Sequence, residues 1–363
     1  MADHLISTPA SDGYCMPAEF AKHRGCWMLW PERHDTWRDR GKPAQQAFVA
    51  VATAIASSEP VTVGVSATGF VEARAQLPAH IRVVEMSHDD AWMRDVGPTC
   101  VVNKNGDVRG VDWQFNAWGG LKGGLYSPWE QDQLVARKVL EIERMDRYEA
   151  PFVLEGGAIH VDGQGTALVT EECLLNRNRN PDLDVGTIEL LLGEYLGVTT
   201  IIWLRDGVFN DETDGHIDNL CCFVRPGEVA LTWTDNKRDP QYQRSFDALQ
   251  RLQGARDARK RKLKIHLLPQ PGPLRMTRTE AKGLKGNVAA KTRSAGDRLA
   301  ASYVNFYIGN SVVVAPLLDP KYDRAVIAKL KKIFKGRKVV GVPAREIVLG
   351  GGGIHCITQQ IPL

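Results

Sequence analysis

The chain has no long hydrophobic run, no marked excess of one charge and no paired-cysteine motif. Each absence excludes something. No apolar stretch approaches the roughly 20 residues that cross a bilayer as a helix. A net charge of +3, from 46 basic and 43 acidic residues, leaves no electrostatic footprint for nucleic acid or a membrane surface. The seven cysteines are odd in number, scattered, and lack any C-x-x-C. They read as reduced thiols in a cytoplasmic setting. The segment Met1-Ala-Asp-His-Leu-Ile-Ser-Thr has neither the basic nor the apolar region of a signal peptide. What remains is an ordinary globular composition, 43% hydrophobic and 25% charged, on a chain long enough to bury a large core. Length alone allows two or three domains.

The most informative stretch is Gly350-Gly-Gly-Gly-Ile-His-Cys-Ile-Thr-Gln-Gln-Ile-Pro-Leu363. A glycine run can cradle phosphate, but the cradle needs a following helix to supply amides. Too little chain follows, with Ile357, Thr358 and Pro362 in it. The run reads instead as backbone making a close approach, then a short strand that carries the Cys356 thiol. Cys356 is a candidate nucleophile. A lone cysteine is more often a small buried apolar residue, so other residues have to corroborate it.

Along the chain one pattern recurs. Hairpins are expected to turn at Asn105-Gly106, Gly163-Gln-Gly165, Pro226-Gly227 and Gly309-Asn310. Helices are expected over 44–56, 127–144, 186–196, 239–252 and 323–334, with Ser127 as a cap and Pro128 opening the second. Single strands follow at 61–65, 199–203, 263–267 and 338–340. Hairpin, helix and strand repeat roughly every 60 to 75 residues, the mark of a repeat or propeller. Three units share a signature: Gly156-Gly-Ala-Ile-His160, Asp214-Gly-His-Ile-Asp218 and Gly351-Gly-Gly-Ile-His355. Around an axis these mouths would converge. Residues 1–16 are polar and read as a flexible terminus. Residues 255–264 are basic and read as a solvated helix end, and 269–298 as a long surface loop.

His216 and Asp218 stand at i and i+2, and a strand would turn both to one face. With Asp211, Glu212 and Asp214 they suit a metal site, acid–base work on a cation, or an acidic loop in water. Asp89-Asp-Ala-Trp-Met-Arg-Asp95 sets Trp92 among acids. That suits a flat cation such as guanidinium, or a surface loop with one buried indole. Glu155 ends an apolar run, so it is expected to be partly buried and to need a partner, with His216 a candidate.

At this point the chain resembles the agmatine deiminase family of the guanidine-modifying superfamily. The matching stretches are Met16-Pro-Ala-Glu-Phe20, Cys26-Trp-Met-Leu-Trp-Pro-Glu-Arg33, Trp92-Met-Arg-Asp-Val-Gly-Pro98 and Phe115 to Tyr126. They continue in Leu154-Glu-Gly-Gly157, Leu174-Leu-Asn-Arg-Asn178, Glu212-Thr-Asp-Gly-His-Ile-Asp-Asn219, Ala300 to Tyr307 and Ile354-His-Cys-Ile-Thr-Gln-Gln360. The match weakens between about 235 and 298. One position departs from the family pattern: Gly353 stands where the family has Asn, an amide fewer near the nucleophile.

The resemblance implies one domain over 1–363 with the pentein fold, an α/β propeller of five pseudo-symmetric ββαβ-type units around a central site. It implies hydrolysis of agmatine to N-carbamoylputrescine and ammonia, in putrescine synthesis. It assigns Cys356 as nucleophile, His216 as acid and base, and Glu155 as its holder. Asp95 and Asp218 grip the guanidinium, Trp92 lines its pocket, and Glu212 meets the far ammonium. It implies a homodimer with no metal or other cofactor, and no nucleic-acid or membrane partner.

Overall fold

Short apolar runs bounded by turn residues become strands, and the longer amphipathic segments between them become helices. In the computed structural model, which describes residues 3–363, they build five separate sheets. Each sheet follows one plan: an antiparallel pair, a crossing helix, and a third strand returning parallel. Thr99–Asn103 and Val108–Gln114 pair antiparallel, helix Val135–Glu143 follows, and Arg147–Val153 returns. His160–Val161 and Thr166–Thr170 are joined through helix Val185–Leu196 to Thr200–Leu204. Cys221–Arg225 and Glu228–Trp233 lead through Pro240–Gly254 to Lys264–Pro269. Tyr307–Ile308 and Val312–Leu317 lead through Pro320–Ile333 to Lys338–Pro343.

The fifth unit is split between the two ends of the chain. Gln359–Pro362 pairs antiparallel with His23–Leu29, helix Lys42–Ala56 crosses, and Val61–Val65 returns parallel, with Arg82–Glu85 at its edge. The carboxyl-terminal strand therefore closes the ring, and the residues just before it lie at the ring's centre. Three crossing helices start on an aspartate whose side chain accepts a backbone N–H: Asp184 from Thr187, Asp239 from Gln241 and Asp319 from Lys321. Removal of one such cap costs about 1 kcal/mol. Pro240 and Pro320 follow directly, where a missing N–H costs nothing. On Lys42–Ala56 the buried face is Phe48, Val51, Ala52 and Ile55.

Three expectations are corrected. The helix expected over 127–144 starts only at Val135, after a 3-10 turn at Asp132–Leu134. The reason is the buried Asp132 carboxylate, which accepts the N–H groups of Asp89 and Asp90 and ties this stretch to another loop. Cys356 lies in a turn ahead of the last strand, not on it. The Thr358 hydroxyl closes that turn by donating to the carbonyls of Ile354 and His355. His216 and Asp218 lie at the start of a single helical turn, Ile217–Leu220, not on a strand.

Near the N-terminus, His4–Leu5 pairs with Arg147–Val153, and Tyr14–Cys15 with Thr99–Asn103. The 269–298 stretch holds one short helix, Arg278–Lys282, and is otherwise irregular. Among the described residues no helix is long and apolar enough to cross a membrane.

Candidate active site

Each of the five units enters its first strand through a buried apolar residue followed by a buried polar one. The pairs are Met93-Arg94, Ile159-His160, Ile217-Asp218, Val304-Asn305 and Ile354-His355. Three of these were visible as a shared signature; the other two have no glycine before them. The residues that follow Arg94 and His355 are Asp95 and Cys356. The N–H of Arg94 donates to the Cys356 carbonyl at 3.0 Å, which locks the turn bearing the thiol onto the turn bearing Asp95.

Cys356 is 5% exposed. Its Sγ lies 3.5 Å from Asp218 Oδ2, and Asn305 Nδ2 donates to it at 3.3 Å. A Cβ at Gly353 would come within 2.2 Å of Asn305 Oδ1, so a side chain there would require the Asn305 carboxamide to shift. Asn305 thus supplies an amide beside the sulfur. Gly157 marks the point where the other groups meet. A Cβ on it would sit 2.5 Å from His216 Nδ1, 2.8 Å from Asp95 Oδ1 and 3.1 Å from Asp218 Oδ2.

Asp95 is fixed from two sides, by the Gly157 N–H on Oδ1 at 2.8 Å and by the Trp118 indole N–H on Oδ2 at 3.0 Å. His216 lies between carboxylates, with Nδ1 3.8 Å from Asp95 and Nε2 3.7 Å from Glu155. Glu155 itself is held chiefly by Arg179, whose Nε donates at 2.7 Å. Among the described residues His216 Nε2 and Asp218 Oδ1 are buried without a hydrogen-bond partner. Asp218 Oδ1 is an acceptor position open to a ligand, whereas His216 Nε2 faces Glu155.

The electrostatics follow from burial set against charge. Burial pushes the His216 imidazolium toward losing its proton, yet the Asp95 carboxylate, then Cys173 and Glu155, outweigh this and raise its pKa well above the ordinary value. Burial also pushes up Glu155, but Arg179 and His216 bring it down to about 2. Asp95 is pushed up to about 6 by burial and the charges of Asp218 and Glu155, against the pull of His216. Burial, then Asp218 and Asp95, hold the Cys356 thiol well above its usual range. The site therefore gathers a neutral thiol, an imidazolium and an excess of carboxylates.

Trp92 packs edge-on above Gly352, in the same place a Cβ on Gly352 would meet Cys356 Cβ, and its indole N–H donates to Asp90 at 3.0 Å. Asp89 and Asp90 serve the loops rather than the centre: Asp90 also takes the Trp37 indole N–H, and Asp89 the Gln131 N–H. Glu212 lies one step outward. A cavity of about 500 Å³ opens there, lined by Glu212, Gly351, Lys291, Arg293 and Arg298. Arg293 crosses it, with Nη2 2.6 Å from Glu212 and donating at 2.9 Å to the Gly350 carbonyl, and Lys291 lies 3.6 Å from Glu212. Sequence reasoning missed Arg179, Trp118, Asn305 and Arg293. Arg179 directly follows the quoted 174–178 stretch, and Trp118 and Asn305 lie inside quoted stretches.

A thiol, an imidazolium and paired carboxylates at the hub of a five-unit α/β propeller define a pentein-type enzyme of the class that acts on C–N bonds of amidines. A family profile for Porphyromonas-type peptidyl-arginine deiminase matches residues 15–362, and the chain belongs to that family. It is 57% identical to a Shewanella frigidimarina protein provisionally named an agmatine deiminase, over 99% of this chain and 97% of that one. Its structure is similar to agmatine deiminase of Enterococcus faecalis, at 48% identity and a TM-score of 0.97 over 99% of both chains. It is also similar to a substrate-bound cysteine-to-serine variant of C. jejuni agmatine deiminase, at 25% identity and a TM-score of 0.82 over 96% of each.

Proposed function

We propose that this chain hydrolyses agmatine to N-carbamoylputrescine and ammonia through a covalent amidino-cysteine intermediate. The observation that carries this reading is the Cys356 sulfur set 3.5 Å from Asp218, in one buried centre with Asp95, His216 and Glu155. The guanidinium lies between Asp95 and Asp218, each charge-assisted hydrogen bond contributing about 1.5–3 kcal/mol. Its charge offsets the carboxylates that hold the thiol neutral, so Cys356 ionises and its proton leaves to solvent. The thiolate forms an S–C bond to the guanidinium carbon. His216 gives its proton to one nitrogen, the C–N bond breaks, and ammonia departs. Neutral His216 then takes a proton from water, and the resulting hydroxide attacks the same carbon. The C–S bond breaks, the hydroxyl proton passes to solvent as the C=O bond forms, and the neutral ureido product and the thiolate separate. Glu155 keeps His216 oriented and Trp92 lines the pocket.

Glu212 takes the far ammonium, displacing Arg293. A second reading rests on Arg293 itself: a guanidinium beside Lys291 also suits the carboxylate of free arginine. Ammonia and ureido assays with agmatine, arginine and a peptidyl-arginine separate the two. Release from agmatine alone supports the first reading, and preference for arginine supports the second. The resemblance alone supports a place in putrescine synthesis and a homodimer, and the unpaired cysteines support a cytoplasmic location.

A further inference from the structure

Directly beneath Cys356 is a buried chain of charge that the reaction above does not use. His355, the residue before the nucleophile, places Nδ1 2.8 Å from Asp218 Oδ2 and Nε2 3.1 Å from Glu19 Oε2. Both neighbours are carboxylates, which only accept. Two acceptors on one imidazole require a proton on each ring nitrogen, so the contacts fit the imidazolium and not either neutral tautomer. The other side of Glu19 is occupied by His160, whose Nε2 lies 3.4 Å from the same oxygen. His160 Nδ1 accepts the Phe223 N–H at 3.2 Å, so its single proton is on Nε2 and it is neutral. The remaining Glu19 oxygen accepts the Ile308 N–H at 2.8 Å. Every atom of the chain is then accounted for, except Asp218 Oδ1, which faces no partner.

We propose that His355 is a positioning residue: an imidazolium wedged between Glu19 and Asp218 that keeps Asp218 anionic and turns its free oxygen toward the guanidinium. This rests on the reading of Asp218 as a guanidinium anchor. The groups facing the pair are Glu19, His160, Arg94, His216 and Cys356. Burial and Arg94 act against a charged His355, but Glu19 and Asp218 outweigh them and its pKa is raised. Asp218 moves the opposite way, since burial pushes it up and His355 then His216 bring it down. Four of these groups, Arg94, His160, Asp218 and His355, occupy the same position in four different units, so the ring's pseudo-symmetry brings them together. The same geometry argues against a cation at Glu19, His160 and His355. Both ring nitrogens facing Glu19 carry protons, so neither offers a lone pair.

The sign of the test follows from this arrangement. Without the imidazolium, Asp218 holds its proton to higher pH, and a protonated Asp218 loses an acceptor for the guanidinium. In His355→Gln the buried Asp218 should therefore add a second proton uptake to the limb that Asp95 sets near pH 6, so the acid side of kcat/KM becomes steeper and moves up. Activity should recover toward the wild-type value as pH rises. An equal loss at every pH would mean a merely structural role and overturn the proposal. The second measurement needs no altered activity. Ring-nitrogen NMR of the full chain across a pH series should show His355, identified by its loss in His355→Gln, keeping both nitrogens protonated to a higher pH than an ordinary histidine. In Glu19→Gln the same signal should titrate at lower pH. A His355 that loses its proton near pH 6.5 in the wild type overturns the proposal. Failure of the wild type to release ammonia from agmatine sinks the substrate reading alone and leaves the NMR result to decide His355.

Discussion

The floor and the mouth of this site are built by different rules. Every floor residue, Asp95, Glu155, His216, Asp218 and Cys356, is nearly fully buried and sits on or beside a turn where a unit enters its first strand. Five units supply the same kind of turn, and hydrogen bonds cross from one to the next. The mouth has no such repetition. Glu212, Lys291 and Arg293 come from irregular stretches, and their charges meet at the rim of an open cavity. In the proposed mechanism the ring holds the guanidinium, while Glu212 and the irregular 269–298 stretch meet the tail. Change at the floor should act on every substrate alike, whereas change at the mouth should act on the ratio between substrates.

The largest expected effect is at the floor. Cys356→Ala should lower turnover of agmatine by about 10⁴-fold or more, since removal of a nucleophile from a group of residues that act together removes most of their contribution. Calorimetry should still show agmatine bound, because the two carboxylates and Glu212 are untouched. Retained turnover would falsify the nucleophile assignment. The next effect is one of pH. Asp95 has its pKa raised to about 6, so below that pH it is protonated and cannot act as an anionic acceptor, and above it the anion is ready. The kcat/KM profile should therefore fall on the acid side with a limb near pH 6, the same for every guanidinium substrate. Asp95→Asn should remove that limb along with about 10- to 100-fold of kcat/KM. A limb near pH 6 that persists in Asp95→Asn would assign it to another group.

The smallest effects belong to the mouth and sharpen the contrast most. Arg293 and Glu212 neutralise each other across 2.6 Å. Arg293→Ala should free the Glu212 carboxylate and lower KM for agmatine several-fold, with kcat little changed. Glu212→Gln should cost about tenfold in agmatine over arginine preference. If either variant changed agmatine and arginine equally, the division between floor and mouth would be wrong.

The same division explains what could be read from the sequence. The five-fold plan was legible because hairpin turns such as Asn105-Gly106 and Pro226-Gly227 are local, and the helices between them keep a local period. The floor residues were legible through motifs, although the reason given for His216 and Asp218 was incorrect. Both reach Gly157 because His216 precedes and Asp218 lies within a single helical turn, and strand alternation does not enter into it. The partners that make the floor work were not legible. Glu19 lies in a quoted stretch, yet nothing local shows that it meets His355, 336 positions away. Arg179 reaches Glu155 and Arg293 reaches Glu212 only after folding. The split unit was also hidden, because no local signal pairs Gln359–Pro362 with His23–Leu29.

The most direct test of the central claim is capture of the intermediate. Wild-type protein mixed with agmatine, acid-quenched within a turnover and digested, should give a peptide containing Cys356 that carries the mass of agmatine less ammonia. An adduct on any other residue, or steady turnover with Cys356 unmodified at every time, would contradict it.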